Sequence, residues 1–220
     1  MYYEKYLPQK FIHVRVCVFK LRLLEVFSFV VYNLTMNDFV FREMNLEHVL
    51  KMRNWGKNDD AILESYDFWP TTFDECKYWF YQKTKKKTNK YYVYLDGDSV
   101  VCYLSTKKID RTTGVSTLGI VMDPNYQSRG YGYAIMRDFL KRYFSWGFKS
   151  MNLTVATFNI RAINLYKKLG FKFKRRVYSL FDGTKDQISD DKRMHFIFLP
   201  GLVISKNYLM VIGGDVREIC

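Results

Sequence analysis

From residue 38 onward the apolar and polar positions fall into short blocks whose period switches between two and about 3.6. "DFVFREM" (38–44) alternates and predicts a strand, and Asn45 can cap a helix over 46–55. Residues 56–70, "GKNDDAILESYDFWP", read as a polar and aromatic loop. Thr72 and Glu75 form a capping box that opens a helix of about three turns at "TFDECKYWFYQK". "YYVYLDGDSVVCYLSTKKI" sets two β-rich runs around Asp-Gly-Asp, the chemistry of a hairpin turn. "VSTLGIVMD" predicts the next strand. Apolar residues at 135, 136, 139, 140, 143 and 144 then recur at helical spacing, and Gly147 ends that helix. "SMNLTVAT" (150–157) predicts a strand with Met151, Leu153 and Val155 on one face. "RAINLYKKL" (161–169) predicts a short helix closed by Gly170, and "FKFKRRVYSLF" and "RMHFIFLP" predict two more strands.

The sum is one α/β domain: a mixed, mostly antiparallel sheet of six or seven strands with about four helices. Residues 36–199 make up this domain. Residues 1–35 read as an N-terminal extension and 200–220 as a C-terminal tail with weak strand character. Residues 11–34 are apolar, but Arg15, Lys20, Arg22 and Glu25 interrupt them, and the longest clean run is far too short to span a bilayer. No small-residue cleavage site follows, as a secretory leader would require. An amphipathic surface segment or an extra strand fits the pattern, as does a domain that starts at Met36.

Composition narrows the class. Of the 220 residues, 48% are hydrophobic and 26% charged, which is a globular balance with enough chain for a core. The net charge of +13 suits polyanionic small ligands, nucleic acid or a membrane surface. The densest run, "KTKKKTNK" (83–90), reads as a solvated loop, and no RNP-like run interleaves basic residues with aromatics, so no specific nucleic acid is expected. Cys17, Cys76, Cys102 and Cys220 are scattered, as are the three histidines. That spacing predicts no metal site and free thiols in a reducing cytoplasm, with no membrane span.

The candidate chemistry lies at "VMDPNYQSRGYGYAIM" (121–136), where a strand runs through a turn into a helix. A helix N-terminus presents unpaired N–H groups and partial positive charge, and glycine lets a phosphate approach the backbone. Gly130 and Gly132 stand in that first turn, with Gln127 and Arg129 able to add donors. The motif is neither a P-loop nor a complete dinucleotide fingerprint. A turn built only for tight packing would look the same at this level.

Two motifs together carry a family resemblance. Gln127, Ser128, Arg129, Gly130, Tyr131 and Gly132, followed by Tyr133, resemble the acetyl-CoA signature [QR]-x-x-G-x-[GA] of the GNAT superfamily of N-acetyltransferases. "NIRAINLYKKLGFK" resembles the family's N-x-x-A-x-x-L-Y-x-K-x-G-F, with Asn159, Ala162, Leu165, Tyr166, Lys168, Gly170 and Phe171 matching. The resemblance is strong over 117–172 and weaker over the first half, which looks most like the branch acting on ribosomal-protein N-termini and small amines.

The resemblance implies acetyl-CoA as co-substrate, with no metal, and an amine acceptor that is a small molecule or a protein N-terminus; a homodimer is left open. The backbone of Ile120, Val121 and Met122 would hold the pantetheine arm, and Asn159 would contact it or the acceptor. Arg129 and Lys168 would meet CoA phosphates. Tyr166 would be the general acid that protonates departing CoA thiolate. Thr117 stands where many members carry a glutamate base, which leaves Glu64, Asp67 and Asp110 as unranked alternatives. His195 reads as a sheet residue. The loop at 57–71, with Asp59, Asp60, Glu64, Asp67 and Trp69, would line the acceptor side and suit a cation. A non-catalytic acyl-CoA-binding module is the rival reading.

Overall fold

The computed structural model describes residues 39–213. The alternating run at the start forms β1 (Phe39–Glu43), followed by α1 (Leu46–Lys51). Asn45 caps α1 by accepting from the His48 N–H at 2.9 Å, while His48 Nδ1 accepts from the Asn45 N–H. The predicted helix over 46–55 tightens into a 3-10 turn at Met52–Asn54. The next loop holds a 3-10 segment of its own, Ala61–Tyr66, opened by the Asp60 carboxylate. The Thr72–Glu75 box starts α2 (Phe73–Thr84) as expected. The lysine-rich run ends α2 and turns into β2 (Lys90–Asp96), which pairs with β3 (Ser99–Asp110). Then come β4 (Val115–Met122), α3 (Tyr131–Ser145), β5 (Ser150–Ala156), α4 (Ile160–Lys168), β6 (Lys172–Leu180), β7 (Phe196–Leu199) and β8 (Leu202–Gly213).

The strands form one sheet in the order β1-β2-β3-β4-β5-β8-β6, with β7 also on β8. Every neighbouring pair is antiparallel except β4 and β5. Those two run parallel for three residue pairs only, Val115↔Ser150 to Thr117↔Asn152, and then separate. Helices cover both faces. On one, α1 and α2 pack Val49, Met52, Trp55, Cys76 and Trp79 against Tyr91 and Val93. On the other, the stripe expected on α3 is buried: Ile135, Met136, Phe139 and Leu140 are fully enclosed. Tyr143 closes that face, accepting from the Ser116 hydroxyl at 2.9 Å and donating to the Ser150 carbonyl at 2.8 Å. Met151, Leu153 and Val155 share a buried face as the period-two pattern requires.

Two expectations change. Residues 202–213, read from sequence as part of a tail, form the long strand β8 between β5 and β6. Polar residues at its buried positions mask its alternation. Ser205 and Asn207 are buried because the Asn207 amide donates to the Ser179 hydroxyl and the Ser205 carbonyl. The strand expected at 193–200 is shorter, since Asp190–His195 coil as 3-10 before β7. Cys76 and Cys102 are buried free thiols. Among the described residues no helix is long and apolar enough to cross a membrane, and no three His, Cys, Asp or Glu cluster as metal ligands. The expectations for residues 1–35, Cys17, Cys220 and the last residues of the tail lie outside the described residues.

Candidate active site

The parting of β4 from β5 builds the cleft. Ile120, Val121 and Met122 pair with Leu104, Tyr103 and Cys102 of β3 on one edge, but past Thr117 no strand pairs with β4 on the other. Main-chain groups there need another partner. The Gln127 side-chain amide reaches back to one of them, donating to the Met122 carbonyl at 3.3 Å. The Val121 side chain packs against the aromatic core and its main-chain groups face β3, so the free edge is offered by Ile120 and Met122.

The turn between β4 and α3 has an unusual backbone. Ser128 holds a φ of 62° and Gly130 one of 83°, two left-handed residues within three positions. Such alternation makes successive N–H groups converge into an anion-binding nest, and a non-glycine residue in that region stores strain of a kind found at functional sites. Gly130 is also the N-cap of α3, where no side chain caps the first turn. The leading N–H groups thus remain for a ligand. Upstream, the buried Asp123 carboxylate fixes the turn by accepting from the Gly56 and Asn125 N–H groups, each at 3.0 Å.

Helix α4 closes the other wall. A Cβ at Gly132 would lie 3.5 Å from Leu165 Cδ2 and 3.8 Å from Met122 Cε, so β4, α3 and α4 converge at that glycine. Lys168 Nζ sits 4.4 Å from the centre of the Tyr133 ring. Arg161 donates to Gln127 Oε1 at 2.5 Å and to Ser128 Oγ at 3.4 Å. Sequence reasoning missed Arg161, because only the fold brings it onto a loop more than thirty residues away. Asn159 caps α4, its Oδ1 accepting from the Ala162 N–H at 3.0 Å, which leaves its amide NH₂ to meet a ligand. Arg129 is exposed and has no partner among the described residues. Tyr131 turns away from the cradle, its ring edge-on to Phe39.

Tyr166 is buried on α4 with its ring edge-on to Phe171 at 5.7 Å. Burial, and secondarily the Tyr66 hydroxyl, push its pKa above the ordinary phenol value. It therefore holds its proton at neutral pH. Tyr66, in the 57–71 loop, thus stands near Tyr166. That loop is also tied to the cradle, since Gln127 donates to Asn58 Oδ1 at 3.4 Å.

The loop's carboxylates are largely engaged. Asp60 accepts from Lys192 at 2.5 Å, Asp67 takes the Asn58 N–H and amide, and Glu64 accepts from the Gln187 amide. Asp59 and Trp69 are exposed. Asp110 accepts from the Thr112 and Thr113 N–H groups and the Thr113 hydroxyl in the β3–β4 hairpin, which holds its pKa below the usual carboxylate range. It pairs with Val115, and five residues of strand separate that point from Ile120, about 17 Å. Asp110 is thereby displaced from the cleft. His195, expected on a strand, ends the 3-10 segment, and its Nδ1 lies 2.9 Å from Thr157 Oγ1 just past β5.

Known proteins share this fold. The model of the Acetyltransferase (GNAT) family matches residues 55–171, from Trp55 before the 57–71 loop to Phe171 just past α4. An uncharacterized N-acetyltransferase, YokL, of Bacillus subtilis is 24% identical over 116 residues, covering 51% of this chain and 66% of its own length. The ribosomal protein bS18-alanine N-acetyltransferase of Escherichia coli is 35% identical over 72 residues, 31% of this chain and 49% of that protein. The match thus spans about half to two thirds of these curated relatives. Among solved structures, the spermidine N-acetyltransferase of Vibrio cholerae, in complex with CoA and spermine, superposes with a TM-score of 0.61 at 15% identity, over 81% of this chain and 97% of that one.

Proposed function

Because this chain belongs to the acetyltransferase (GNAT) family, we propose that it is an acetyl-CoA-dependent N-acetyltransferase acting on a primary amine, either a peptide or protein N-terminus or a small-molecule amine. The observation that carries the reading is the convergence at Gly132 of the free edge of β4, the left-handed nest at Ser128–Gly130 and the Leu165–Lys168 face of α4. Nest and helix N-terminus suit a pyrophosphate. Arg129 supplies a further cation, and the unpaired edge of Ile120–Met122 suits the amide groups of a pantetheine arm.

The thioester brings an acyl carbon already activated toward nitrogen. The chain's own groups hold both reactants in one cleft, which removes much of the entropic cost of their meeting. Free N–H groups of β4 are suited to stabilise the developing oxyanion. As the C–N bond forms and the C–S bond breaks, the Tyr166 hydroxyl, protonated at neutral pH, gives its proton to the sulfur, and the proton released from the acceptor nitrogen goes to solvent, from which the tyrosinate is re-protonated. The acceptor approaches between α4 and the 57–71 loop, where Tyr66 and exposed Asp59 and Trp69 stand.

Calorimetric titration with acetyl-CoA, followed by a panel of α-amines and alkylamines, tests the reading. Micromolar binding with turnover of at least one amine is expected. Replacing Tyr166 with Phe should lower kcat by about 100-fold or more and leave CoA affinity unchanged. Tight CoA binding with no turnover of any amine would instead support a non-catalytic acyl-CoA-binding module, which the threonine at position 117 favours.

A further inference from the structure

The far edge of the sheet carries chemistry that acetyl transfer does not use. Residues 139–181 contain ten Lys and Arg and no Asp or Glu, so most of the chain's positive excess lies in this stretch. Four of the ten, Lys172, Lys174, Arg175 and Arg176, stand on β6. Among the described residues that strand ends the sheet and pairs with β8 alone, which leaves its outer main-chain edge unpaired by any of them. All four cations are exposed, and none has an ion pair, hydrogen bond or ring contact among the described residues. A bulge between Phe173 and Arg175 leaves Lys174 without a cross-strand partner. Arg175 and Arg176, at successive positions, point to opposite faces. Two rings on the same strand are open to solvent, Phe173 between Lys172 and Lys174 at 55% and Tyr178 beyond Arg176 at 57% exposure. Phe173 also meets Tyr208 edge-on at 5.3 Å, which extends the aromatic surface.

The chemistry of this edge selects its occupant. A second copy pairing antiparallel along β6 would set these cations against one another, the arrangement by which natural edges avoid self-association. An acidic peptide added as a strand would satisfy the charge and the main-chain edge, but makes no particular use of open rings. A duplex offers phosphates and hides its bases. A single strand of nucleic acid offers both, phosphates for the cations and π-faces for the rings, along about 30 Å of extended edge. We propose that β6 is a docking edge for single-stranded nucleic acid, bound through phosphates and stacked bases without sequence preference. The absence of an RNP-like run fits such sequence-independent contact. The proposal does not rest on the acetyltransferase reading.

Fluorescence anisotropy of the full chain with a labelled oligouridylate of about fifteen residues, repeated with oligothymidylate, tests it over about 50 to 200 mM salt. Contact with about four phosphates predicts that log affinity falls with log salt at a slope near −3. The combined Lys174→Ala, Arg175→Ala, Arg176→Ala variant should bring that slope to about −1. Arg175→Lys with Arg176→Lys should keep it. Tyr178→Ala should weaken binding about tenfold at an unchanged slope. Melting temperature and acetyl-CoA titration on each variant separate a docking loss from misfolding. The proposal is overturned if the wild type fails to bind, if the alanine variant binds as the wild type does, if a duplex of the same length is preferred, or if a glutamate-rich peptide binds the edge where the single strands do not.

Discussion

Two glycines, two residues apart, should respond to the same added methyl with opposite sign. At Gly130 the φ is +83° and an added Cβ would meet nothing within 4 Å. The cost of alanine there is backbone strain alone, about 1–2 kcal/mol for an L-residue in the left-handed region. Gly132 lies within α3, where an added Cβ makes only ordinary contacts, at 3.5 Å to Leu165 and 3.8 Å to Met122. Alanine in a helix is favoured over glycine by about 0.5–1 kcal/mol. For a chain of this size 1 kcal/mol moves Tm by about 2–4 °C. Gly130→Ala should therefore lower Tm by about 2–8 °C and Gly132→Ala raise it by about 1–4 °C, read by thermal melts of the full chain. The strain at 130 has a second outlet. If the loop relaxes out of the left-handed region, Tm is spared and the nest is lost, and the same 1–2 kcal/mol appears as about 5- to 30-fold weaker CoA binding. Titration beside the melts captures both. A Gly130→Ala protein unchanged in Tm and in CoA affinity would refute the left-handed cradle, and equal shifts at the two positions would refute the contrast between them.

Arg161→Ala should raise KM for acetyl-CoA several-fold with kcat little changed, because Arg161 holds Gln127 and Ser128 and is otherwise exposed; steady-state kinetics check this, and its Tm should stay within the small range of surface substitutions. Glu75 accepts from the Thr71 and Thr72 N–H groups and the Thr71 hydroxyl, which depress its pKa to about 2. A depressed carboxylate stabilises the fold above its unfolded pKa, near 4.5 here, and that contribution disappears as pH falls toward 2. Melts of Glu75→Gln against wild type should therefore differ at neutral pH, draw together below about pH 4.5 and converge only as pH approaches 2, and curves that stay parallel would remove the box from the acid response.

What the sequence made legible follows the range of the interactions involved. Local devices read directly: the Thr72–Glu75 box, the Asp-Gly-Asp hairpin, the α3 stripe and the glycine stops at 147 and 170, both at positive φ. Each is set by neighbours within a few residues. Strand β8 did not read as part of the domain, because Ser205 and Asn207 occupy buried positions through bonds to one another and to Ser179, a partner on a different strand. The cradle residues 127–132 were legible as a motif, but no local signal fixed where β4 and β5 part. Arg161 is a long-range contact that no spacing rule reveals. The acidic loop was read as a cationic-acceptor site, and what the sequence did not show is that Asp60, Glu64 and Asp67 also make contacts within the loop and with the 185–195 segment.

Proton removal from the acceptor can be argued from the same distribution of charge. Strands β4 to β8 carry no Asp or Glu at all. The loop carboxylates other than Asp59 already accept hydrogen bonds, and Asp110 is remote. Among the described residues the carboxylates at the cleft are thus engaged apart from two exposed ones on its acceptor side, Asp59 and Asp182, the latter close to Tyr66, and unless one of these takes the proton the amine must arrive neutral or lose it to solvent. Then log kcat/KM should rise with pH at a slope near one and level off at the acceptor's own pKa, about 8 for an α-amine and about 10.4 for an alkylamine. A further base is His195, whose pKa burial and Lys206 lower from 6.5. If it took the proton through Thr157, the plateau would begin below 6.5 for every amine, and His195→Gln would abolish it. Since Tyr166 keeps its proton beyond the ordinary phenol range, it adds no falling limb before about pH 10. The position of the plateau across two amines thus separates solvent-assisted loss from histidine, and a rate flat from pH 6 to 10 with both amines and in His195→Gln would mean that a carboxylate reaches the amine after all.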